Sequence, residues 1–172
     1  ERVRRDGFPD APLLPSSQAR GQRVAYFPGC LTDRMLPEQG EAVLRVLRAC
    51  GCEVSFPTDQ HCCGLVALNV GDRVHGRQMA EQTIRMLEAL EVDYVVTNST
   101  SCLAAVVQDY QHLFRDDEAW RARVEAVGAN MLDFTTFIAR VAQPAAADFV
   151  PSEPTAVTCH DACQSANALG LA

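Results

Sequence analysis

Lysine is missing from this 172-residue sequence, and all fifteen basic residues are arginine. A Walker-type phosphate loop needs a lysine to reach the phosphates, so that class of nucleotide site is excluded. No G-x-G-x-x-G pattern follows any apolar run, which leaves dinucleotide binding without support. No apolar stretch approaches the roughly 18 residues that cross a bilayer. Residues 1–22 are polar and proline-rich, unlike the basic-then-apolar start of a signal peptide. Positive charge is also short. The formal net charge of −7 argues against nucleic acid or an anionic membrane surface as the main partner.

What remains is the composition of an ordinary globular chain, 48% apolar and 22% charged, with length enough for a buried core. Eight cysteines are many for such a chain. With no secretion signal the expected compartment is the reducing cytoplasm, where thiols serve as metal ligands or catalytic groups more often than as disulfides. The sequence begins with Glu1, not Met, and stops inside an apparent helix, so it reads as a piece of a longer protein.

Residues 1–22 read as a linker or tail, with Pro9, Pro12 and Pro15 and no periodicity. Short apolar runs then alternate with amphipathic stretches. Residues 23–27 (RVAYF) predict a strand ended by Pro28-Gly29, and residues 37–50 carry Val43, Val46, Leu47 and Cys50 at helical spacing. A second strand is expected at residues 52–56 and a third at 92–97. Between them lies a long helix that Asp72 can cap, with Met79, Thr83, Met86 or Leu87, and Leu90 facing inward. Ser101 can cap a helix over residues 102–113. Further helices are expected near 118–127 and 133–141, where Asp116-Asp117-Glu118 reads as a helix start and Trp120 as a packing aromatic. Residues 143–154 read as a linker and 155–159 (TAVTC) as a fourth strand. Strand and helix alternating in this way predict an α/β fold, an open, doubly wound parallel sheet with flanking helices.

The cysteines fall at a particular place on that map. Cys30 follows the first strand, Cys62 and Cys63 the second, Cys102 the third and Cys163 the expected fourth. Loops after parallel strands emerge at one edge of the sheet, so five thiols would converge at the C-terminal edge. Cluster iron or Zn²⁺ takes thiolates, commonly four. Cys50 lies on the inner face of its helix and Cys52 opens a core strand, so both read as packing residues.

Phe27-Pro28-Gly29-Cys30, then 31 residues, Cys62-Cys63-Gly64, and 38 residues between Cys63 and Cys102 form a specific pattern. It resembles the cysteine-rich CCG domain of lactate-utilisation iron–sulfur proteins, the glycolate oxidase iron–sulfur subunit and the CCG-bearing polypeptide of heterodisulfide reductase. The resemblance covers residues 23–171. Such proteins usually carry two modules, and His160-Asp161-Ala162-Cys163 looks like the opening of a second. The implied division is a first module at 23–142, a linker at 143–154 and a truncated second module at 155–172. The family's closing Cys-x-x-Cys is here Ser99-Thr100-Ser101-Cys102, as in lactate-utilisation members and unlike five-thiol heterodisulfide reductase clusters. The resemblance implies one [4Fe-4S] cluster held by Cys30, Cys102, Cys163 and one of Cys62/Cys63. It also implies an electron-transfer subunit rather than a dehydrogenating one. Its partners would be a flavin-containing 2-hydroxy-acid dehydrogenase and other iron–sulfur domains, with any membrane contact made only through them. Asn98, Ser99 and Ser101 are candidate hydrogen-bond donors to cluster sulfur.

Two other chemistries fit the residues. One is a structural Zn²⁺ module with His61 or His160 as a fourth ligand. The other is thiol redox chemistry at the vicinal Cys62-Cys63 pair.

Overall fold

The computed structural model describes residues 11–57, 59–150, 153–158, 160 and 162–170. Four parallel strands form an open sheet: β1 (Arg23–Tyr26), β2 (Glu53–Ser55), β3 (Tyr94–Thr97) and β4 (Met131–Asp133), in the order β2-β1-β3-β4. In register, Ala25 lies beside Ser55 on one side and Val95 on the other, and Val96 lies beside Leu132.

Side chains alternate across the pleat, and each set has its own helical cover. On one face Ala25, Phe27, Val95 and Met131 pack with α4 (Arg73–Glu88) and with the run α5 (Thr100–Ala104), α6 (Tyr110–Leu113) and α7 (Glu118–Ala129). On the other, Val24, Tyr26 and Val96 pack with α2 (Pro37–Ala49) and α8 (Phe134–Phe137). The expected doubly wound α/β sheet is therefore the fold. Two short helices, α1 (Gly29–Met35) and α3 (Leu65–Asn69), start where the loops after β1 and β2 carry their cysteines.

The long helix α4 opens as its sequence predicts, with the Asp72 carboxylate accepting the His75 backbone N–H at 3.1 Å. Cys50 and Cys52 are core residues, 1% and 8% exposed, on the face away from the other thiols. Residues 11–22 carry no strand or helix yet pack against the same core, with Ala19 fully buried and Leu14 N–H bonded to the Ala49 carbonyl at 2.8 Å.

The fourth strand differs from expectation. Residues 155–158 are exposed and unpaired with the sheet, and Cys159, the last residue of that stretch, lies outside the described residues. The strand is instead Met131–Asp133, at the start of a stretch that reads as helix. Its three residues are too few to show an alternation. Its last member, Asp133, turns the chain at once into α8 by accepting the Thr135 and Thr136 N–H groups. Nor does Ser101 cap the helix of Cys102. Ser99 holds the cap position, with no side-chain cap bond.

Candidate metal centre

The chain leaves β1 toward one face of the sheet and β3 toward the other, so a crevice opens between the C-terminal ends of these neighbouring strands. In open parallel sheets ligands bind at such a switch point. Gly29 and Cys30 start α1 directly after β1, and Cys102 is the third residue of α5 after β3. The loop after β2 brings Cys62 and Cys63 beside them.

Hydrogen bonds hold these three loops in place. The Gln60 amide donates to the Tyr26 carbonyl at 2.8 Å, tying the β2 loop to the end of β1. The buried Tyr26 hydroxyl donates to Asn98 Oδ1 at 2.8 Å, and Asn98 Nδ2 donates to Thr32 in α1 at 3.3 Å. Asn98 thereby links Tyr26 of β1 to Thr32 of α1. Ser99 N–H donates to Thr97 Oγ1 at 3.0 Å, and the Ser99 and Ser101 hydroxyls share a 3.3 Å contact.

Four thiols lie in succession along the crevice. Cys30 contacts Cys62, Cys62 contacts Cys63, and Cys63 donates to Cys102 with the sulfurs 3.5 Å apart. The row runs from exposed to buried. Cys30 is exposed and Cys62 half-buried, while Cys63 and Cys102 are 3% and 6% exposed. Gly64 N–H also points at Cys62 Sγ, at 3.5 Å.

The row is electrostatically graded. The Cys63 thiol donates to Cys102 and is itself pushed up to about 12. Cys102 is lowered by that same bond, against its burial, with help from the Ser99 hydroxyl. Cys62 is raised because it donates to Cys63, and Cys30 chiefly by burial. Cys102 is therefore the thiol of the row whose ionisation is most favoured. Placing further negative charge beside it requires a cation, which bound metal supplies.

Two glycines make the crowding possible. Gly29 has φ +74°, and a Cβ there would stand 2.9 Å from Cys102 Sγ and 3.3 Å from Ser99 Cβ. Gly64 has φ +84°, and a Cβ there would meet Met79 Cβ at 2.9 Å. Both positions combine a left-handed backbone with no room for a side chain.

An all-sulfur donor set suits a soft metal or an iron–sulfur cluster, and Gly29 lets the backbone after β1 come close to Cys102. Among the described residues no three His, Cys, Asp or Glu side chains converge tightly enough to hold a single metal ion. His61 is turned to its neighbour, with Nδ1 2.9 Å from the Cys62 carbonyl oxygen, and His160 is exposed.

Cys163 stands apart from the row. It is exposed, at the start of Gln164–Ala168, a segment that packs against α5. Since residues 155–158 form no strand, its closeness to the crevice rests on that contact rather than on sheet topology.

A cavity of about 450 Å³ opens onto the exposed end of the row, lined by Gly29, Cys30, Arg34, Gln60, His61 and Cys62. Beyond the cysteines, Tyr110 is the site residue that the sequence pattern does not reveal. Its hydroxyl donates to the Cys63 carbonyl at 2.5 Å. No helix among the described residues is long and apolar enough to cross a membrane.

The family model of the cysteine-rich domain CCG matches residues 24–106. The chain is 37% identical over 148 residues to "Lactate utilization protein A" of Exiguobacterium sp., covering 86% of this chain and 59% of that protein. It is 35% identical over 157 residues to "Probable glycolate oxidase iron-sulfur subunit" of Bacillus subtilis, covering 91% of this chain and 35% of that protein. A "Lactate utilization protein A" of Bacillus thuringiensis is 36% identical over 150 residues, covering 87% of this chain and 60% of that protein. The chain thus spans about three fifths of the lactate-utilisation relatives and about a third of the glycolate oxidase subunit. No solved structure matches it significantly.

Proposed function

We propose that the chain, whose residues 24–106 match the CCG cysteine-rich domain, is the iron–sulfur electron-transfer part of a cytoplasmic 2-hydroxy-acid oxidising system, acting on lactate or glycolate. The relatives' names carry the substrate class, since one is a lactate utilization protein and another a glycolate oxidase iron-sulfur subunit. The observation that supports the site most is the row of four thiols from three separate loops, packed against Gly29 at the switch point of the sheet.

The residues assigned to a [4Fe-4S] cluster are Cys30, Cys102, Cys163 and one of Cys62/Cys63. Cys163 is included because the segment that follows it, Gln164–Ala168, packs on α5, the helix that carries Cys102. Residues 155–172 are assigned as the start of a second module. Such a cluster supplies one-electron transfer at a potential set by its surroundings. The chain's own groups hold and tune it. The Ser99 hydroxyl favours the thiolate of Cys102, burial of Cys63 and Cys102 excludes water from one side, and exposed Cys30 leaves the other side open. Oxidation of the hydroxy acid itself belongs to a flavin-containing dehydrogenase partner, with other iron–sulfur domains further along the chain of transfer.

The test is a redox titration of protein reconstituted with iron and sulfide in the absence of oxygen. Dithionite is expected to bleach the visible absorption near 400 nm, and an oxidised flavin is expected to restore it within the same sample. Absorption that does not respond to either reagent would leave a structural metal group and remove the electron-transfer role.

A further inference from the structure

We propose that Tyr110 is a positioning residue for the thiol site, setting the distance between Cys63 and Cys102 through its bond to the Cys63 carbonyl. For its consequence on cluster retention the inference rests on the electron-transfer reading above.

Cys63 and Cys102 come from different loops, after β2 and β3, and nothing covalent joins them. Tyr110 belongs to the same helical run as Cys102, eight residues on. In an unbroken α-helix that spacing would leave Tyr110 about 80° round the axis from Cys102. The run is broken by a wide π turn at Ala105–Asp109, which takes up an extra residue and brings Tyr110 back toward the thiol side. There its hydroxyl reaches the Cys63 carbonyl at 2.5 Å. The phenol is fully buried. One side chain thus ties the backbone of the Cys62-Cys63 loop to the helix that carries Cys102, with the two sulfurs 3.5 Å apart.

The clamp is itself held rigid from behind. Phe114 packs edge-on against Tyr110 at 6.4 Å, and Trp120 stacks on Phe114 at 5.2 Å. Arg123 lies 4.1 Å over the Trp120 ring while bonded to Glu88 of α4. α4, α6 and α7 are locked together through this column, so Tyr110 is a fixed post and not a mobile tip.

The test uses Tyr110→Phe beside Phe114→Leu. The first removes one oxygen and keeps the ring packing. The second weakens the packing of the same column and keeps the phenol. The sole tryptophan, Trp120, reports folding of both through its emission.

In metal-free protein, diamide takes the hydrogens of two thiols, forming a disulfide and being reduced to its hydrazine, and mass mapping of peptides gives the Cys63–Cys102 yield. That yield is expected to fall about fivefold in Tyr110→Phe and to hold in Phe114→Leu, the factor that losing one buried hydrogen bond allows. In reconstituted protein, iron loss to a chelator is expected to quicken by about tenfold in Tyr110→Phe alone. Equal disulfide yields and equal iron loss in wild type and Tyr110→Phe would overturn the role of Tyr110 and leave the electron-transfer reading standing. A wild type that takes up no cluster would sink that reading, while the disulfide yields still decide Tyr110.

Discussion

Replacing Cys102 with serine is expected to cut bound iron at least tenfold after anaerobic reconstitution, while the protein still folds. The size follows from losing a direct ligand where even outer-shell partners are worth about 10- to 100-fold. Cys102 is the buried end of the row, accepts from Cys63, and is the one thiol of the four whose ionisation is favoured. Serine keeps the shape but offers a hard oxygen that stays protonated, so a soft sulfur ligand is gone. Cys52→Ala is the informative comparison. Cys52 is equally buried but lies on the other face of the sheet, so its loss removes packing alone. It is expected to lower stability by about 1 kcal/mol and leave iron content unchanged. Iron and sulfide content together with a urea melt separate the two variants.

Gly29→Ala is expected to damage both the fold and the site. Its φ of +74° strains any residue with a Cβ, by about 1–2 kcal/mol. The added methyl would also press on Cys102 Sγ at 2.9 Å and on Ser99 Cβ at 3.3 Å. The first effect shifts the midpoint of unfolding, and the second pushes apart the loops after β1 and β3 that form the crevice. Gly71→Ala isolates the first effect. Gly71 has φ +85° but nothing within 4 Å of where its Cβ would stand. Both variants should lose similar stability from the backbone, whereas only Gly29→Ala should fail to hold iron. Full iron content in Gly29→Ala would mean that the thiols do not meet beside Gly29.

Much of this architecture is legible in the sequence because it follows from periodicity. The apolar runs of β1, β2 and β3, the helical spacing in α2 and the Asp72 cap of α4 are local signals, and the structure keeps each within a residue or two. The meeting of Cys30, Cys62, Cys63 and Cys102 follows from them, since each is attached to the end of a parallel strand. The fourth strand fails for two physical reasons. Met131–Asp133 is three residues long and ends in the carboxylate that caps the next helix, so it has neither length nor alternation. Residues 155–158 have the β-branched composition of a strand but no buried face to use it. Helix α1 is hidden for the opposite reason. Pro28-Gly29 reads as a turn, yet Pro28 takes the cap position and Gly29 opens the helix. Tyr110 shows why a site can exceed its motif. A tyrosine on an amphipathic helix reads as packing, and only the π turn, which leaves no mark in the apolar pattern, aims it at the Cys63 carbonyl.

On the proposal, Cys30, Cys102, Cys163 and one of Cys62/Cys63 hold an iron–sulfur cluster. Iron, acid-labile sulfide and zinc measured together on protein purified without oxygen test it most directly. About four iron and four sulfide per chain, with little zinc, is the predicted result for a cubane cluster. About one zinc per chain, with no iron or sulfide even after anaerobic reconstitution, would rule out the cluster and make the crevice a structural metal site.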